Sequence, residues 1–107
     1  ETYVVELDRG IIREFKISPE DANLKSCDLS EILGGSPEFN AQKIGQLVNG
    51  EKSGFFYSVI FNSAVALYIS EKVKNIQDGV RLASDTLLSG KTKELIENLK
   101  IAKTSLQ

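Results

Sequence analysis

Histidine, methionine and tryptophan are missing from these 107 residues, and cysteine occurs once. Without histidine, the chain has neither the commonest general base nor the usual activator of a serine or cysteine nucleophile. The single Cys27 cannot form an internal disulfide, and it has no histidine or second cysteine with which to share a metal ion. We therefore expect no self-contained hydrolase chemistry, and we interpret Cys27 as a small, half-buried apolar residue.

Two further features are lacking: an excess of basic residues and a long apolar run. The net charge of -2 gives no basic surface of the kind that nucleic-acid-binding proteins present. No apolar run reaches about 18 residues, and no basic region precedes an apolar one at the N-terminus, so the sequence predicts neither a membrane span nor a signal peptide. We expect a cytoplasmic setting. Because methionine is absent and the chain begins at Glu1, we also expect these residues to belong to a longer protein.

What is present begins with two strands and a turn. Residues 3–7 and 11–17 are rich in β-branched and aromatic residues, and Asp8-Arg9-Gly10 supplies a glycine where a tight turn needs a positive φ. This pattern predicts an antiparallel hairpin. Because an isolated two-stranded hairpin is marginal in water, we expect its strands to extend a larger sheet or to lie against the helices that follow.

Helix-start patterns follow the hairpin. Ser18-Pro19-Glu20-Asp21 predicts one helical turn, and residues 28–33 predict a second short helix that Gly34-Gly35 stops. Ser36-Pro37-Glu38 starts a longer helix that runs to about Asn49. Its predicted apolar face consists of Ala41, Ile44, Leu47 and Val48.

The second half of the chain is predicted to be helical. The segment from Phe55 to about Val73 has almost no polar face, which predicts a helix packed on all sides at the centre of the core. Asn75 caps the next helix, and a last one begins near Lys91. Their apolar stripes are Ile76, Val80, Ala83 and Leu87 in the former and Leu95, Leu99, Ala102 and Leu106 in the latter. The fold class is therefore α+β: a hairpin, short helical turns and about four α-helices.

One short motif suggests phosphate binding. Gly90-Lys91-Thr92 is similar to the end of a phosphate-binding loop, but the full pattern needs a glycine where the chain has Asp85, and a strand where it has a helix. We therefore interpret Gly90 as a helix stop. We also expect no metal site among the acids of the predicted helix starts, namely Glu20, Asp21, Asp28 and Glu31.

Two asparagines lie inside the predicted helices. A buried amide without partners would cost about 1–3 kcal/mol, so we expect Asn62 to hydrogen-bond a neighbouring loop or helix end. Lining a ligand pocket is the alternative for Asn62, and the same two interpretations apply to Asn40. The sequence thus predicts no catalytic, substrate-binding or metal-binding residue. The residues to which it assigns a structural role are Gly34, Gly35, Asn40, Asn62 and Gly90.

Taken in order, several pieces of the chain resemble the C-terminal part of the anthranilate phosphoribosyltransferases, members of a glycosyltransferase family that also includes pyrimidine-nucleoside phosphorylases. The pieces cover nearly the whole chain and keep the order and spacing found in that family. They are Val5-Glu6-Leu7, Asp8-Arg9-Gly10, Ser18-Pro19-Glu20-Asp21, Gly34-Gly35-Ser36-Pro37-Glu38, Asn40-Ala41, Asn62-Ser63-Ala64-Val65-Ala66-Leu67-Tyr68, Gly79-Val80, Leu82-Ala83 and Ser89-Gly90-Lys91.

The resemblance implies a parent enzyme of tryptophan biosynthesis. That enzyme transfers ribosyl phosphate from phosphoribosyl pyrophosphate to the amine of anthranilate with magnesium present, chemistry that depends on positioning and charge stabilisation. The family's Gly-Thr-Gly-Gly-Asp loop, Lys-His-Gly-Asn segment and Asp-Glu metal pair do not occur here, and the anthranilate-facing Arg has no counterpart either. The Asp-Glu pair would be expected just before residue 1.

The resemblance therefore implies that residues 1–107 are the C-terminal portion of a larger α/β catalytic domain. The N-terminal helical domain and the phosphate-binding loop would lie outside them. We expect this segment to be inactive alone, to bind no magnesium itself, and to self-associate through surfaces that the parent covers. Two alternatives stay open at this point: a segment of a related nucleoside phosphorylase, and a free-standing helical interaction module.

Overall fold

The fold of residues 1–106, the part of the chain described by a computed structural model, is a hairpin followed by helices. The elements are strands β1 (Thr2–Asp8) and β2 (Ile11–Ile17), 3₁₀ turns at Pro19–Ala22 and Leu29–Glu31, and helices α1 (Pro37–Val48), α2 (Gly54–Ile69), α3 (Ile76–Leu88) and α4 (Lys91–Ser105). The predicted α+β class and the order of elements are confirmed. No helix within residues 1–106 combines the length and the apolar character needed to cross a bilayer.

The hairpin pairs β1 with β2 antiparallel, from Thr2 opposite Ile17 to Asp8 opposite Ile11. Arg9 and Gly10 both have positive φ, 49° and 80°, as a two-residue type I′ turn requires. Successive side chains of a strand point to opposite faces, so the register gives the hairpin two distinct faces. The inner face carries Val4, Glu6, Phe15 and Ile17, which contact a cavity of about 220 Å³ against α2 and α3. The outer face carries Tyr3, Val5, Leu7, Ile12, Glu14 and Lys16.

Helix α1 begins and ends where the sequence predicts. The Ser36 hydroxyl accepts a hydrogen bond from the Phe39 N–H at 3.2 Å, and Gly50 follows the helix in the left-handed conformation, with φ of 81°. Its predicted apolar face differs from the observed one: of that face, Leu47 is buried, whereas Ile44 is 42% exposed. Only the C-terminal end of α1 meets the core: Leu47 belongs to the core cluster, and Val48 packs against it.

Helix α2 is shorter than predicted and ends at Ile69. Glu71 adopts a φ of 59°, its N–H donates to the Tyr68 carbonyl, and the Lys72 N–H donates to the Leu67 carbonyl, each at 3.0 Å. This is the Schellman arrangement that usually has glycine at the left-handed position. The sequence has glutamate there, which is why the end of the helix could not be found from the pattern.

The prediction that α2 is packed on all sides is also wrong. Phe56, Ile60 and Ala64 are buried at intervals of one helical turn, whereas Asn62 is exposed and Ile69 is 73% exposed. One face of α2 lies on α3, and its other faces are only partly covered. The core cluster contains Leu47, Phe56, Ile60, Ala83 and Leu87, with Leu24, Val48, Phe55, Tyr57, Val59, Leu67 and Val80 packed against it.

Two further expectations about burial are corrected. The apolar stripe of α4 does not join the core: only Thr92 and Ile96 of this helix are even half-buried, and the rest of it is exposed. The radius of gyration of 15.9 Å accordingly exceeds the value of about 13 Å typical of a compact domain of this length. Cys27 is exposed rather than half-buried, because the loop that carries it runs over the surface beside the start of α2.

Candidate functional site

The Gly34-Gly35 turn and the first turn of α1 form one hydrogen-bonded unit. The Asn40 side-chain oxygen accepts from the Gly35 N–H at 2.8 Å, and its amide nitrogen donates to the Gly35 carbonyl at 3.3 Å. Both glycines are closely approached, since a Cβ on Gly34 would lie 3.1 Å from the Asn40 oxygen and one on Gly35 would lie 3.0 Å from the Phe39 ring. Both ends of the Asn40 amide thus hold the turn in place.

A cleft of about 180 Å³ lies beside this turn, lined by residues of the second 3₁₀ turn, α1 and α2. Its polar side chains are Glu31, Asn40 and Lys43. Asn40 is engaged by Gly35, and the Lys43 ammonium lies 5.4 Å from the centre of the Phe39 ring, a cation–π contact. The cleft is therefore a junction between elements, and its polar groups serve to hold those elements together.

Glu31 secures the start of α2 from a distant part of the chain. One of its carboxylate oxygens accepts from the Gly54 N–H at 3.1 Å, and the other accepts from the Asp28 N–H at 3.3 Å. A carboxylate is favourable at a helix N-terminus, where the backbone N–H groups are unpaired. Gly54 permits the approach, because a Cβ there would lie 2.8 Å from Cβ atoms of both Cys27 and Glu31.

A second polar cluster joins the hairpin to α2. The Tyr68 hydroxyl donates to one Glu6 carboxylate oxygen at 3.0 Å, and Arg13 donates to the other at 2.7 Å. The carboxylate raises the pKa of the Tyr68 hydroxyl, because the hydrogen bond and the negative charge both favour the protonated phenol. These residues line a cavity of about 450 Å³, which also contacts Lys16, Asp21, Lys74 and Gln77.

This cluster was not predicted from the sequence, although the ion pair between Glu6 and Arg13 could have been predicted. A two-residue turn at Arg9-Gly10 places Glu6 directly opposite Arg13, so the ion pair follows from the register. Tyr68 lies 62 residues from Glu6, and no local pattern indicates that contact.

The remaining structural residues have simpler environments. Asn62 is exposed, and its amide donates to the Ser58 carbonyl at 2.8 Å within the same helix, so the expected neighbouring loop or helix end is not its partner. Gly90 has a φ of 87° between α3 and α4, and a Cβ there would meet nothing within 4 Å. The positive φ, rather than close packing, therefore favours glycine at this position.

The carboxylates of the two 3₁₀ turns bond to neighbouring donors. Glu20 accepts from the Ser26 hydroxyl, which lowers its pKa, and Asp21 accepts from the Ser18 N–H at 2.7 Å. Within residues 1–106, no three histidine, cysteine or acidic side chains are grouped so that they could hold a metal ion.

The comparison with known proteins decides the family. A sequence profile described as the glycosyl transferase family, a/b domain, matches residues 1–93. The chain belongs to this family. The residues that match the glycosyl transferase profile extend from the hairpin to the start of α4.

Curated relatives agree with this assignment. The anthranilate phosphoribosyltransferase of Methanobrevibacter smithii is 40% identical over 96 residues, which are 90% of this chain and 29% of that protein. Proteins of the same name from Methylocella silvestris and Caulobacter vibrioides are 37% and 36% identical over 92% of the chain, which is 28% and 29% of their own lengths. The chain thus spans less than a third of the relatives it matches.

Proposed function

We propose that this chain serves as the C-terminal segment of a phosphoribosyltransferase that transfers ribosyl phosphate from phosphoribosyl pyrophosphate to anthranilate in tryptophan biosynthesis. The observation that carries the proposal is the 40% identity to an anthranilate phosphoribosyltransferase over 90% of the chain. In this proposal the enzyme is cytoplasmic, and the magnesium ion and both substrates are held by residues outside this segment.

The contacts within the segment support a scaffolding contribution. The Asn40 amide holds the Gly34-Gly35 turn, Glu31 holds the start of α2, and Glu6 joins the hairpin to Tyr68. The Glu31 and Glu6 contacts join residues 23 and 62 positions apart in the sequence, whereas the Asn40 contact is local. Catalysis of this kind depends on reacting groups held in fixed geometry, and a rigid supporting segment contributes to it without touching the substrate.

A chimera tests the proposal. The matched 96 residues of the Methanobrevibacter smithii relative are replaced by the corresponding residues of this chain, and anthranilate consumption is followed with phosphoribosyl pyrophosphate and magnesium. We expect the folded chimera to consume anthranilate and the isolated 107-residue chain to leave it unchanged. A chimera that folds, as judged by circular dichroism, but consumes no anthranilate would overturn the proposal.

A further inference from the structure

The outer face of the hairpin is apolar and uncovered. Tyr3 and Val5 are each 59% exposed, Leu7 is 71% exposed, and Ile12, directly opposite Leu7, is 66% exposed. They lie together on one side of a two-stranded sheet whose other side faces α2 and α3. An apolar patch of this kind on a soluble protein is typical of a contact surface.

The polar groups that border this face already have partners. The Tyr3 hydroxyl donates to the Glu14 carboxylate, and the Lys16 ammonium donates to the Glu1 carboxylate at 3.1 Å. Little polar capacity is left for a charged or hydrogen-bonding ligand. The chemistry of the face therefore suits an apolar protein surface rather than a small polar molecule.

The two strands also lack neighbours within residues 1–106, where the sheet consists of β1 and β2 alone. A two-stranded hairpin gains independent stability when more strands or a covering layer are added. The family is described as an a/b domain, and sheets of α/β domains are usually covered on both faces. One of the two faces of this hairpin is uncovered here.

The occupant is indicated by the length of the relatives. More than two thirds of each matched relative lies outside the region that this chain spans. We propose that the outer face, through Tyr3, Val5, Leu7 and Ile12, docks against an apolar surface in that remaining part of the phosphoribosyltransferase chain. This inference rests on the proposed function, since it requires that the segment operates within such a longer chain.

Thiol labelling in the chimera tests the contact. With Cys27→Ser as background, Ile12→Cys places a thiol on the outer face, and Ile101→Cys places one on α4. The two isoleucines are matched controls, because they are 66% and 64% exposed. Each variant is made in the isolated chain and in the chimera, and its rate of reaction with a maleimide is measured at low protein concentration.

We expect the chimera to slow labelling at position 12 by about tenfold or more relative to the isolated chain, because a covered thiol reacts only when the contact opens. Labelling at position 101 should change by less than about twofold. Equal rates at position 12 in the two proteins would overturn the proposal, as would equal slowing at both positions. If labelling at position 12 is slow in the isolated chain and fast in the chimera, a second copy of the chain covers the outer face, and this outcome too would overturn the proposal.

Two additions keep this test independent of folding defects and of the enzymatic activity. If Ile12→Cys prevents the chimera from folding, amide hydrogen exchange on the unsubstituted chimera replaces it, with slower exchange expected in β1 and β2 but not in the last turns of α4. Anthranilate consumption is assayed separately. Activity without protection would reject the docking surface alone, whereas protection without activity would reject the proposed reaction alone.

Discussion

Gly79 of α3 lies directly against Ala64 of α2. A Cβ placed on Gly79 would be 2.7 Å from the Ala64 carbonyl oxygen and 2.9 Å from its Cα. Both residues are buried, and Ala64 has no exposed surface. These two small residues thus allow the backbones of α2 and α3 to approach closely at this point.

We expect Gly79→Ala to destabilise the chain by about 1–3 kcal/mol, because backbone atoms of α2 must move to admit the methyl group. Gly45→Ala is the matched control: Gly45 also lies inside a helix, and a Cβ there would meet nothing within 4 Å. Alanine should stabilise α1 by up to about 1 kcal/mol through helix propensity. Urea unfolding of both variants gives the comparison, and a stabilised Gly79→Ala would contradict the close packing of Gly79 on Ala64.

The Asn40 amide provides a second prediction. Asn40→Ala removes both hydrogen bonds to Gly35 and should lower the free energy of unfolding by about 1–2 kcal/mol. The same substitution at Asn62 removes one exposed bond within α2 and introduces a better helix former, so its effect should stay within about 0.5 kcal/mol. Chemical denaturation measures both, and equal losses would show that Asn40 does not hold the turn.

The Glu31 carboxylate predicts a local effect at the start of α2. Glu31→Ala leaves the Gly54 and Asp28 N–H groups without this partner and should cost about 1–2 kcal/mol. Glu38→Ala, at an exposed acid in the first turn of α1, serves as control, with an expected loss of about 0.3–1 kcal/mol from the helix dipole alone. Amide exchange at residues 54–57 should accelerate in Glu31→Ala only; unchanged exchange there would argue against the contact.

The contact between Tyr68 and Glu6 predicts that the stability of the chain depends on pH in the alkaline range. Its pKa is raised by Glu6, so the native state binds this proton more tightly than the unfolded chain. The stabilisation is fully present below the ordinary tyrosine pKa of about 10 and is lost as pH rises from there through the native value. We expect the stability difference between the natural chain and Tyr68→Phe to shrink over that range.

The control for this titration is Tyr3→Phe. The pKa of Tyr3 is raised by Glu14 in the same direction, but that contact lies within the hairpin and does not reach α2. Removing the Tyr3 hydroxyl should change the absorbance titration of the tyrosines. It should leave the contact between the hairpin and α2 unaffected. A stability difference for Tyr68→Phe that is constant across the alkaline range would contradict the Glu6 contact.

Local features of the fold followed from the sequence because their causes are local. The turn at Asp8-Arg9-Gly10 and the caps at Ser36 and Asn75 depend on residues close in the chain, and all three were predicted in place; the type I′ geometry at Arg9-Gly10 was added by the structure. The end of α2 was predicted too late because Glu71 occupies a position where glycine is expected.

Burial was predicted less well, for a different reason. The apolar residues of α2 and α4 indicate which faces could be buried, but not how much protein lies around them. Contacts such as Tyr68 with Glu6 are invisible to pattern analysis because they join residues 62 positions apart.

The sparse packing of α4 has a consequence for handling the protein. Beyond Ile96 every described residue of this helix is exposed, and Lys100 and Lys103 lie on that stretch. A protease needs several residues of unfolded chain at its active site, and a helix end held by few contacts supplies them at little cost. Trypsin should therefore trim the chain from its C-terminal end first, leaving a shortened product in which the hairpin and the pair formed by α2 and α3 are intact.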